Sequence, residues 1–600
     1  MSALAAIVHK SRVDIVPERI DTMLAGIPLG GVVTKAAHVT GPFGLGAATF
    51  ATMTPPIARE AGLFCALDGR LDDREDLVAT PGADPHLDDA SLLLAAYRRW
   101  GAECVTRLAG DFAFVIHDAA TRTTLCGRDI LGVRPLYYHD SADALYLASH
   151  PGAILAALPR IAAAADQSVL AAYAAGYAPE GDRTLYPAIR RLMPGHRLAS
   201  SPAGCTIDRY ADWSSERRPT GREPPVRFAA LLDRAVSRRM AGTGPVAALL
   251  SGGLDSSSVV ALARHHRQSL RTYSQVFPAY PEADERPFIA TITDGGGLDP
   301  QFLDCTGIST FDGLDRALTV QAGPFIGPNL ATTTHTYRTA AAQGFPILLD
   351  GHGGDESVYS GLGSLYDHAY SLRWLSLWRE VQAIARLDGI DAPRVMTNLL
   401  RKRGPFTRRT QQAKVLAGQP RPAWLAHDVP WPPQPPRLPQ PGHEAHEEHL
   451  ASFTSSFFVQ ALELLAHASA SEGVELRFPM LDRDLIAWCL AAPAEEKFRH
   501  GYSRALLRQG MVEHLPAKIR ERRDKFDFSS HVIRGMTATD QAMIGDILAD
   551  RDDRLRPFFD MTVLRDRWNS LQHQPEAVDG FTMQAIWRAI VLGRWLDRPA

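Results

Sequence analysis

The chain has 600 residues, which at roughly 150 residues per domain predicts two to four domains and a large buried core. Hydrophobic residues make up 45% of it and charged residues 22%, values that exclude collagen-like, coiled-coil and fully disordered chains. The 64 Lys and Arg residues nearly balance the 67 Asp and Glu residues, for a net charge of −3. This balance argues against a protein whose whole surface binds nucleic acid or an anionic membrane.

The lack of a recognisable targeting signal and the scattered cysteines predict a soluble, cytoplasmic protein with no membrane contact. Residues 1–16 have no basic region, and their apolar stretch is too short for a signal peptide. No run of about 18 apolar residues is present to span a bilayer. The 6 cysteines are scattered without a Cys-x-x-Cys pair, which predicts buried, reduced thiols and neither a disulfide framework nor a zinc site.

The first two hundred residues have the pattern of an α+β domain. Short apolar or alternating runs at 112–118 and 144–149 predict strands. Residues 88–101 predict a helix, because Asp88 can cap its start, apolar residues recur at helical spacing and Gly101 ends it. Strands interrupted by a helix in this way indicate α+β structure.

A polar segment rich in Pro and Gly, residues 212–226, predicts a linker between a domain at 1–211 and a domain at 227–600. A second interruption, at about 420–441, is crowded with prolines and predicts an extended surface insertion that tryptophans pack against the rest of the chain.

The chain after the linker begins with the pattern of a βαβ unit. Residues 245–250 predict a strand, 256–267 a helix and 271–277 a second strand. Strands joined by a crossover helix are parallel. The second domain is therefore predicted to be α/β, with a parallel sheet.

The motif Ser-Gly-Gly-Leu-Asp-Ser-Ser lies between the first of these strands and the helix. Small residues let the backbone approach an anion, and the unpaired N–H groups at the helix start point at it. The hydroxyls add donors, and a carboxylate can hold Mg²⁺ beside phosphates. The Lys of the Walker loop is absent. The predicted binding residues are Leu250, Ser251, Gly252, Gly253, Asp255, Ser256 and Ser257.

The letters Gly-Gly-Leu-Asp recur at 296–299, and this copy serves as an internal comparison. Pro300 follows it, and no pair of serines opens a helix. We interpret the copy as a structural loop between a helix and a strand.

A second glycine-rich segment, Ile-Leu-Leu-Asp-Gly-His-Gly-Gly-Asp-Glu, occupies 347–356. With the first motif it resembles the asparagine synthetase family of PP-loop ATP pyrophosphatases. The resemblance implies ATP and Mg²⁺ as cofactors, with the metal on Asp255 and Asp355. Two carboxylates at the carboxyl ends of parallel strands also suit the place where open α/β sheets bind ligands. We add Gln275, near the adenine, and Asp350 and Gly351 to the predicted binding residues.

Two further segments extend this resemblance. Residues 475–482 are similar to the family's E-x-R-x-P-F-L-D, and 522–526, Arg-Arg-Asp-Lys-Phe, to its R-x-x-K segment. The second match implies that Lys525 approaches the reacting phosphate and the acyl intermediate. A compact positive charge there would stabilise both pyrophosphate departure and a later oxyanion.

The amino-terminal domain resembles the family's glutaminase half, a class II glutamine amidotransferase with an Ntn-hydrolase-like fold. Residues 68–77, 107–118 and 127–139 carry this likeness. Such a glutaminase needs a cysteine at position two, whose thiol attacks the amide and whose free amine acts as base, whereas this chain has Ser2. We therefore expect a degenerate glutaminase-like scaffold that makes no ammonia, followed by the α/β PP-loop synthetase domain.

Without ammonia, an activated carboxylate must meet another amine, most simply one carried by the substrate. β-Lactam synthetases and lasso peptide cyclases are subfamilies that close rings in this way. His352 stands where β-lactam synthetases have Tyr and asparagine synthetases have Glu. With the Pro-rich insertion, the chain looks most like a lasso peptide cyclase. The alternatives are a synthetase that cyclises a small molecule and a catalytically inactive nucleotide-binding scaffold.

This resemblance implies adenylation of an Asp or Glu side chain of a precursor core peptide, followed by attack of the peptide's N-terminal amine to close a macrolactam, with release of AMP and pyrophosphate. The predicted catalytic residues are His352, which would orient the adenylate or help deprotonate the amine, Lys525 and Glu356. The expected partners are the core peptide, a leader peptidase and a leader-binding protein, with no nucleic acid and no membrane.

Three histidines, His443, His446 and His449, are spaced at i, i+3 and i+6 and could suggest a metal site. The H-E-x-x-H pattern is not formed. We predict that they lie at the exposed start of a helix.

Overall fold

Two antiparallel sheets make up the first part of the chain. Their strands are, in chain order, β1 (Ser2–His9), β2 (Val33–Thr40), β3 (Phe43–Phe50), β4 (Ile57–Glu60), β5 (Leu63–Asp72), β6 (Ala109–Asp118), β7 (Thr123–Arg128), β8 (Tyr137–Asp140), β9 (Ala144–Ala148), β10 (Arg190–Arg191), β11 (His196–Ser201) and β12 (Gly204–Arg209). The sheet orders are β10-β8-β9-β1-β3-β2 and β12-β11-β7-β6-β5-β4. Leu4 and Leu45 from one sheet pack with Val115 and Cys126 from the other.

The structure is a computed structural model. It describes residues 2–11, 13–50, 54–78, 87–163, 165–213, 223–242, 244–280, 284–403, 421–431, 439–524, 529–549, 553–574 and 580–598.

The elements predicted in this first part are confirmed. The runs at 112–118 and 144–149 lie in β6 and β9. The predicted helix spans Asp89–Trp100. The Asp88 side chain caps it by accepting a hydrogen bond from the Ser91 N–H, and Gly101 follows its last turn with a φ of 56°, which a glycine adopts readily.

A five-stranded parallel sheet forms the second part, as predicted. It contains β13 (Val246–Leu249), β14 (Leu270–Val276), β15 (Leu298–Asp304), β16 (Ile347–Leu349) and β17 (Glu475–Arg477), in the order β15-β14-β13-β16-β17. β13 pairs on one side with β14 and on the other with β16. The chain segments that follow β13 and β16 therefore leave the same edge of the sheet as neighbours.

The second Gly-Gly-Leu-Asp is not wholly a loop. Leu298 and Asp299 are the first residues of β15, opposite Leu270 and Arg271 of β14. The Nε atom of Arg271 donates to Oδ2 of Asp299 at 2.8 Å, so the ladder and a surface ion pair hold this copy in the sheet. It opens a strand and not a helix, and a Cβ at Gly296 or Gly297 would meet no atom within 4 Å.

Helices surround the three sheets. None in the described ranges combines the length and apolar character needed to cross a bilayer. They span Pro17–Ala25, Arg74–Val78, Asp89–Trp100, Pro151–Ala157, Gln167–Ala175, Pro224–Met240, Leu254–Ala263, Arg286–Thr293, Leu314–Val320, Leu330–Ala342, Gly354–Val358, Gly363–Tyr370, Trp374–Asp388, Ala392–Arg403, Glu444–Thr454, Ser456–Ser471, Arg483–Ala491, Ala494–Lys497, Ala505–Gly510, Ala517–Arg520, Ser529–Arg534, Gln541–Ala549, Met561–His573 and Gly580–Leu596.

Of the predicted linker 212–226, residues 214–222 lie outside the described residues. The next helix starts inside the linker, at Pro224, because a proline at the first position of a helix loses no hydrogen bond. In the Pro-rich insertion, the described residues 421–431 pack against the carboxyl-terminal part of the chain, where the amide of Ala426 donates to the carbonyl of Phe558 at 3.1 Å.

Buried ion pairs join the first two sheets to the synthetase-like part. Nη1 of Arg128 lies 3.1 Å from Oε1 of Glu463, and Nη2 of Arg134 lies 3.1 Å from Oε1 of Glu475. All four side chains are almost fully buried. Removing one partner of such a pair leaves an uncompensated buried charge, so the two parts are held in one arrangement.

His467 lies at this same interface, on the helix Ser456–Ser471, where its ring contacts His150 and Tyr137 with centroid distances of 4.5 and 6.0 Å. Burial lowers the pKa of His467 to about 3, whereas an unfolded histidine titrates near pH 6.5. Between these values the unfolded chain binds the additional proton, so the imidazole's contribution to stability is lost as pH falls below about 6.5.

We predict that His467→Gln reduces the loss of unfolding free energy between pH 7 and pH 5 by about 2 kcal/mol. Denaturant unfolding at both pH values measures this loss. The matched control is His573→Gln, at an exposed position, which should leave the pH dependence of the wild-type protein in place. An unchanged pH dependence in His467→Gln would contradict the prediction.

Candidate active site

The first glycine-rich loop connects β13 to the helix Leu254–Ala263. Gly252 has a φ of 73°, a conformation that favours glycine and turns the chain back toward the helix. The hydroxyl groups of Ser251 and Ser256 lie 3.0 Å apart, and the Ser251 amide donates to Oγ of Ser256 at 3.2 Å. The loop is therefore held in shape by its own side chains, next to the amino-terminal end of a helix.

The second loop, after β16, touches the first through backbone atoms. A Cβ on Gly351 would lie only 2.5 Å from the amide nitrogen of Ser256, so only glycine fits there. A Cβ on Gly354 would lie similarly close to the Asp255 side chain, at 2.4 Å. The amide of His352 donates to Oδ1 of Asp350 at 2.9 Å and closes the turn. Small residues thus bring the two loops into contact.

One arginine links the carboxylates of both loops. Nη1 of Arg504 donates to Oδ1 and Oδ2 of Asp255 at 2.7 and 2.6 Å and lies 3.0 Å from Oδ1 of Asp355. Both carboxylates therefore converge on a single cationic atom. Oxygen atoms arranged in this way fit a hard divalent cation such as Mg²⁺.

No group of three or more His, Cys, Asp and Glu side chains in the described ranges forms a metal site. Two carboxylates from the protein are sufficient for Mg²⁺ bound to a nucleotide, because phosphate oxygens and water usually complete its shell. Asp255 and Asp355 thus fit the metal-binding role predicted for them.

His352 lies between two further carboxyl groups. Burial raises the pKa of Asp350 and of Glu356, while attraction to His352 opposes this rise. The His352 ring is stacked with Phe458 at a centroid distance of 6.4 Å, and its Nε2 atom is buried with no hydrogen-bond partner in the described part of the chain. A buried nitrogen without a hydrogen-bond partner is costly, so its presence beside the two loops suggests a functional role.

A cavity of about 700 Å³ lies against both loops. Gln275 lines it and is held by a hydrogen bond from its Nε2 to Oγ1 of Thr336 at 3.0 Å. On other sides the cavity is bounded by Gly176, the helix Ser456–Ser471 and the helix Gly580–Leu596. The predicted site residues that line it are Leu250, Ser251, Gly253, Asp255, Ser256, Gln275, Asp350 and His352.

The other predicted site residues that the structure describes do not line the cavity. They are Gly252 and Gly351, in the loops themselves, Glu356, and Asp355, which is linked to the site by its ion pair with Arg504. Ser257, the second of the motif's two adjacent serines, is fully buried and does not line the cavity, so the expectation that both hydroxyls donate to a ligand is wrong for this side chain. Lys525 lies outside the described residues.

The segment just before Lys525 is attached to the first loop. Nη1 of Arg522 lies 2.7 Å from Oε1 of Glu285 and donates to the carbonyl of Gly252 at 3.3 Å. Its guanidinium also lies 3.9 Å from the ring centroid of Phe288. Arg522, Arg523 and Asp524 all line the cavity. This segment therefore closes the cavity on the side of the first loop.

Comparison with known proteins decides the family. The profile of the family "Asparagine synthase" matches residues 227–597, more than half of the chain. The chain belongs to the asparagine synthase family. The profile "Glutamine amidotransferase domain" matches residues 84–211. The fold class expected from the resemblance, a class II amidotransferase domain followed by an α/β synthetase domain with a parallel sheet, is confirmed.

Curated relatives match this family member over part of their length. It is 31% identical over 250 residues to "Asparagine synthetase [glutamine-hydrolyzing] 3" of Bacillus subtilis, covering 38% of this chain and 41% of that protein. It is 32% identical over 217 residues to a "Putative asparagine synthetase [glutamine-hydrolyzing]" of Mycobacterium bovis, covering 34% and 33%. The matches thus span less than half of each relative.

Solved structures show a weaker likeness. The glutamine phosphoribosylpyrophosphate amidotransferase from B. subtilis has 14% identity and a TM-score of 0.27, over 50% of this chain and 81% of that chain.

Sequence patterns missed two arginines of the site. Arg504 follows no motif, and it adopts a left-handed φ of 53° just before the helix Ala505–Gly510, so only the folded chain brings it to the aspartates. Arg588 lies on the helix Gly580–Leu596, some 330 residues after the first loop in the sequence. Neither position carries a local signal that distinguishes it from the many other arginines.

The expectation for the three histidines is wrong for His449. It lies in the middle of the helix Glu444–Thr454 and is fully buried. Nζ of Lys497 lies 3.1 Å from its Nδ1, and its Nε2 lies 3.0 Å from the Ser357 carbonyl. Burial lowers the pKa of His449, and also lowers that of Lys497 to about 8. The pair supports the helix that follows the second loop.

We predict that Gly351→Ala destabilises the protein by about 1–3 kcal/mol, because its Cβ would push the two loops apart. It should also weaken binding of ATP·Mg²⁺ at least tenfold in a calorimetric titration. Gly545→Ala is the matched control: its Cβ would meet no atom within 4 Å, and replacing glycine inside a helix adds about 0.5–1 kcal/mol of stability. Wild-type nucleotide binding by Gly351→Ala would show that the loop contact is not required.

Proposed function

We propose that the protein is an ATP-dependent lasso peptide cyclase. It activates an Asp or Glu side chain of a core peptide as an acyl-adenylate and joins it to the peptide's N-terminal amine, with release of AMP and pyrophosphate. The observation that carries the proposal is the convergence of Asp255 and Asp355 on one cationic atom, beside a cavity that also contains His352.

A closed amidotransferase site supports an amine source other than glutamine. Oγ of Ser2 donates to Oδ1 of Asp68 at 3.2 Å and accepts a hydrogen bond from the Gly69 amide at 3.2 Å. The cavity beside Ser2 has a volume of only about 20 Å³. That is room for about one water molecule and far below the size of a ligand site.

The first loop supplies the binding site for the triphosphate. Ser251, Gly253 and the start of the helix Leu254–Ala263 line the cavity, and the positive end of the helix dipole favours an anion there. Asp255 and Asp355 would hold Mg²⁺, which neutralises charge on the departing pyrophosphate. Arg504 then adds a fixed positive charge beside the two carboxylates.

The peptide carboxylate attacks the α-phosphate, and the peptide amine then attacks the acyl carbon and expels AMP. The α-amine has an unperturbed pKa of about 7.7–8.0, so part of it is neutral near pH 7. We propose that His352 accepts the proton that the amine loses. Its side chain lines the cavity, and its Nε2 has no hydrogen-bond partner among the described residues. Electrostatic attraction couples His352 to Asp350 and Glu356.

The difficult step is to fold the substrate into the shape of the product, because the peptide tail must be held through the ring before the ring closes. Ordering the peptide costs about 1–2 kcal/mol for each residue, and contacts in the binding site must offset that cost. We propose that a leader peptidase and a leader-binding protein act on the peptide before this enzyme and deliver it in the cytoplasm.

A small-molecule substrate is the second candidate. A volume of about 700 Å³ lies within the ordinary range for small-ligand sites. The same loops could therefore activate and cyclise a compact amino-acid derivative, as in β-lactam synthetases.

Mass spectrometry and nucleotide analysis test the proposal. The protein is mixed with ATP·Mg²⁺, the linear core peptide encoded beside its gene, and the leader peptidase and leader-binding protein encoded there. We predict that the peptide loses one water while AMP and pyrophosphate form, and that Asp255→Ala abolishes both. Asp299→Ala, in the second Gly-Gly-Leu-Asp, is the matched control and should retain both, because Asp299 lies in β15 and pairs with Arg271.

The other outcomes separate the alternatives. AMP formation without a cyclised peptide would keep the adenylating chemistry and favour a small-molecule substrate. No ATP turnover with any candidate would favour an inactive nucleotide-binding scaffold.

We predict that His352→Ala slows ring closure about 100-fold, which lies within the range of general acid–base catalysis, and slows pyrophosphate release much less. Quenched-flow measurement of pyrophosphate and of cyclised peptide separates the two steps. His335→Ala, at a half-buried position away from the cavity, is the matched control. If His352→Ala leaves both steps unchanged, His352 has no role in the reaction.

A further inference from the structure

The wall of the cavity formed by helices carries an arginine that the proposed reaction does not use. Arg588 lies on the helix Gly580–Leu596 and lines the cavity. Its Nε atom donates to the carbonyl of Ala174, at the end of the helix Gln167–Ala175, at 3.3 Å. The guanidinium is thereby fixed between an element of the amidotransferase part and an element of the synthetase part.

The chain leaves space for this guanidinium. Gly176 follows the helix Gln167–Ala175 with a φ of 88°, and a Cβ there would lie 3.2 Å from Nη1 of Arg588. The wall formed by this helix and by the helix Ser456–Ser471 is largely apolar, with Trp587 and Leu464 among its residues. The Arg588 side chain therefore borders the cavity, next to Gly176.

Arg588 differs from the other arginines of the cavity in its charge partners. Arg504, Arg522 and Arg523 each form an ion pair with a carboxylate, at 2.6 to 2.7 Å. In the described part of the chain no carboxylate lies within ion-pair distance of Arg588. Arg594, one turn and a half further along the same helix, pairs with Asp315 at 2.7 Å.

A cation that is partly buried without a counter-ion is costly for the fold. Burial lowers the pKa of the Arg588 guanidinium for the same reason, because it disfavours the charged form. Such a charge is retained where an external anion completes the pair, and arginine binds carboxylates with two parallel hydrogen bonds.

We propose that Arg588 binds a carboxylate of the substrate that is not the one being activated, and so decides which substrates are accepted. The activated carboxylate must reach the α-phosphate beside the loops that follow β13 and β16. Arg588 lies on the part of the wall formed by the two helices, and we infer that it takes a second anionic group there. The inference rests on the proposed function and narrows it to substrates with two carboxylates.

Kinetics of AMP formation with the core peptide test this role. Arg588→Gln should raise the KM for the peptide at least tenfold and leave kcat and the KM for ATP within twofold of wild type. Arg588→Lys should recover part of the loss, because it restores the charge but not the two-pronged geometry. Arg594→Gln, on the same helix, is the matched control and should behave as wild type.

Two altered peptides identify the carboxylate. One carries an amidated C-terminus, and the other has its non-reacting acidic side chains replaced by amides. The peptide that lacks the recognised group should show the raised KM with the wild-type enzyme, with no further increase in Arg588→Gln. Additive effects of Arg588→Gln with both peptides would overturn the inference.

A binding measurement with glutarate separates this inference from the proposed function. We expect calorimetric titration to show glutarate binding at least tenfold weaker to Arg588→Gln than to wild type and to Arg594→Gln, at constant ionic strength. A peptide that yields no AMP contradicts the proposed function alone, and the glutarate titration then decides the role of Arg588. Equal glutarate binding by wild type and Arg588→Gln would overturn it.

Discussion

The contact between two backbone segments controls the geometry of the whole site. Gly351 lies against the amide of Ser256, and Gly354 lies against Asp255, with no room for a side chain at either glycine. This contact places the carboxylates of two separate loops around one atom of Arg504. It exists because β13 and β16 are adjacent parallel strands, whose carboxyl ends meet at one edge of the sheet.

Electrostatics divides the cavity into two regions. Near the loops, four carboxyl groups and one bridging arginine form a site that is complete only with further positive charge, which a divalent cation on a triphosphate provides. On the wall of helices the surface is mostly apolar, with Arg588 as its charge. A substrate that spans both regions would be held at its reacting group and at a distant anchor, which favours one productive orientation.

The amidotransferase part contributes to this cavity although its own pocket is almost closed. Gly176 and the end of the helix Gln167–Ala175 form part of the wall. Buried pairs such as Arg128–Glu463 and Arg134–Glu475 fix that helix relative to the synthetase sheet. This part of the chain therefore shapes the cavity whether or not it releases ammonia, which gives a physical reason for its retention.

Local sequence patterns were sufficient to predict the strands that carry the site and the two loops that form it. Alternating and apolar runs located β6, β9, β13 and β14, and the small residues of the two motifs located the two loops of the site, because these signals depend on neighbours in the chain. The same reasoning misplaced the Ser257 hydroxyl, which faces the core, and left His449 at the surface, although it is buried. The direction of a side chain depends on what packs against its helix, and one sequence does not contain that information.

The sequence by itself determined the family, the order of the two parts, the parallel sheet and the pair of aspartates. Only the tertiary structure decided that Arg504 joins those aspartates, that Arg522 ties a distant segment to the first loop, and that Arg588 faces the cavity. Each of these arginines lies more than 140 residues from at least one of its partners. Contacts at such separations arise from chain topology and packing, which no local pattern records.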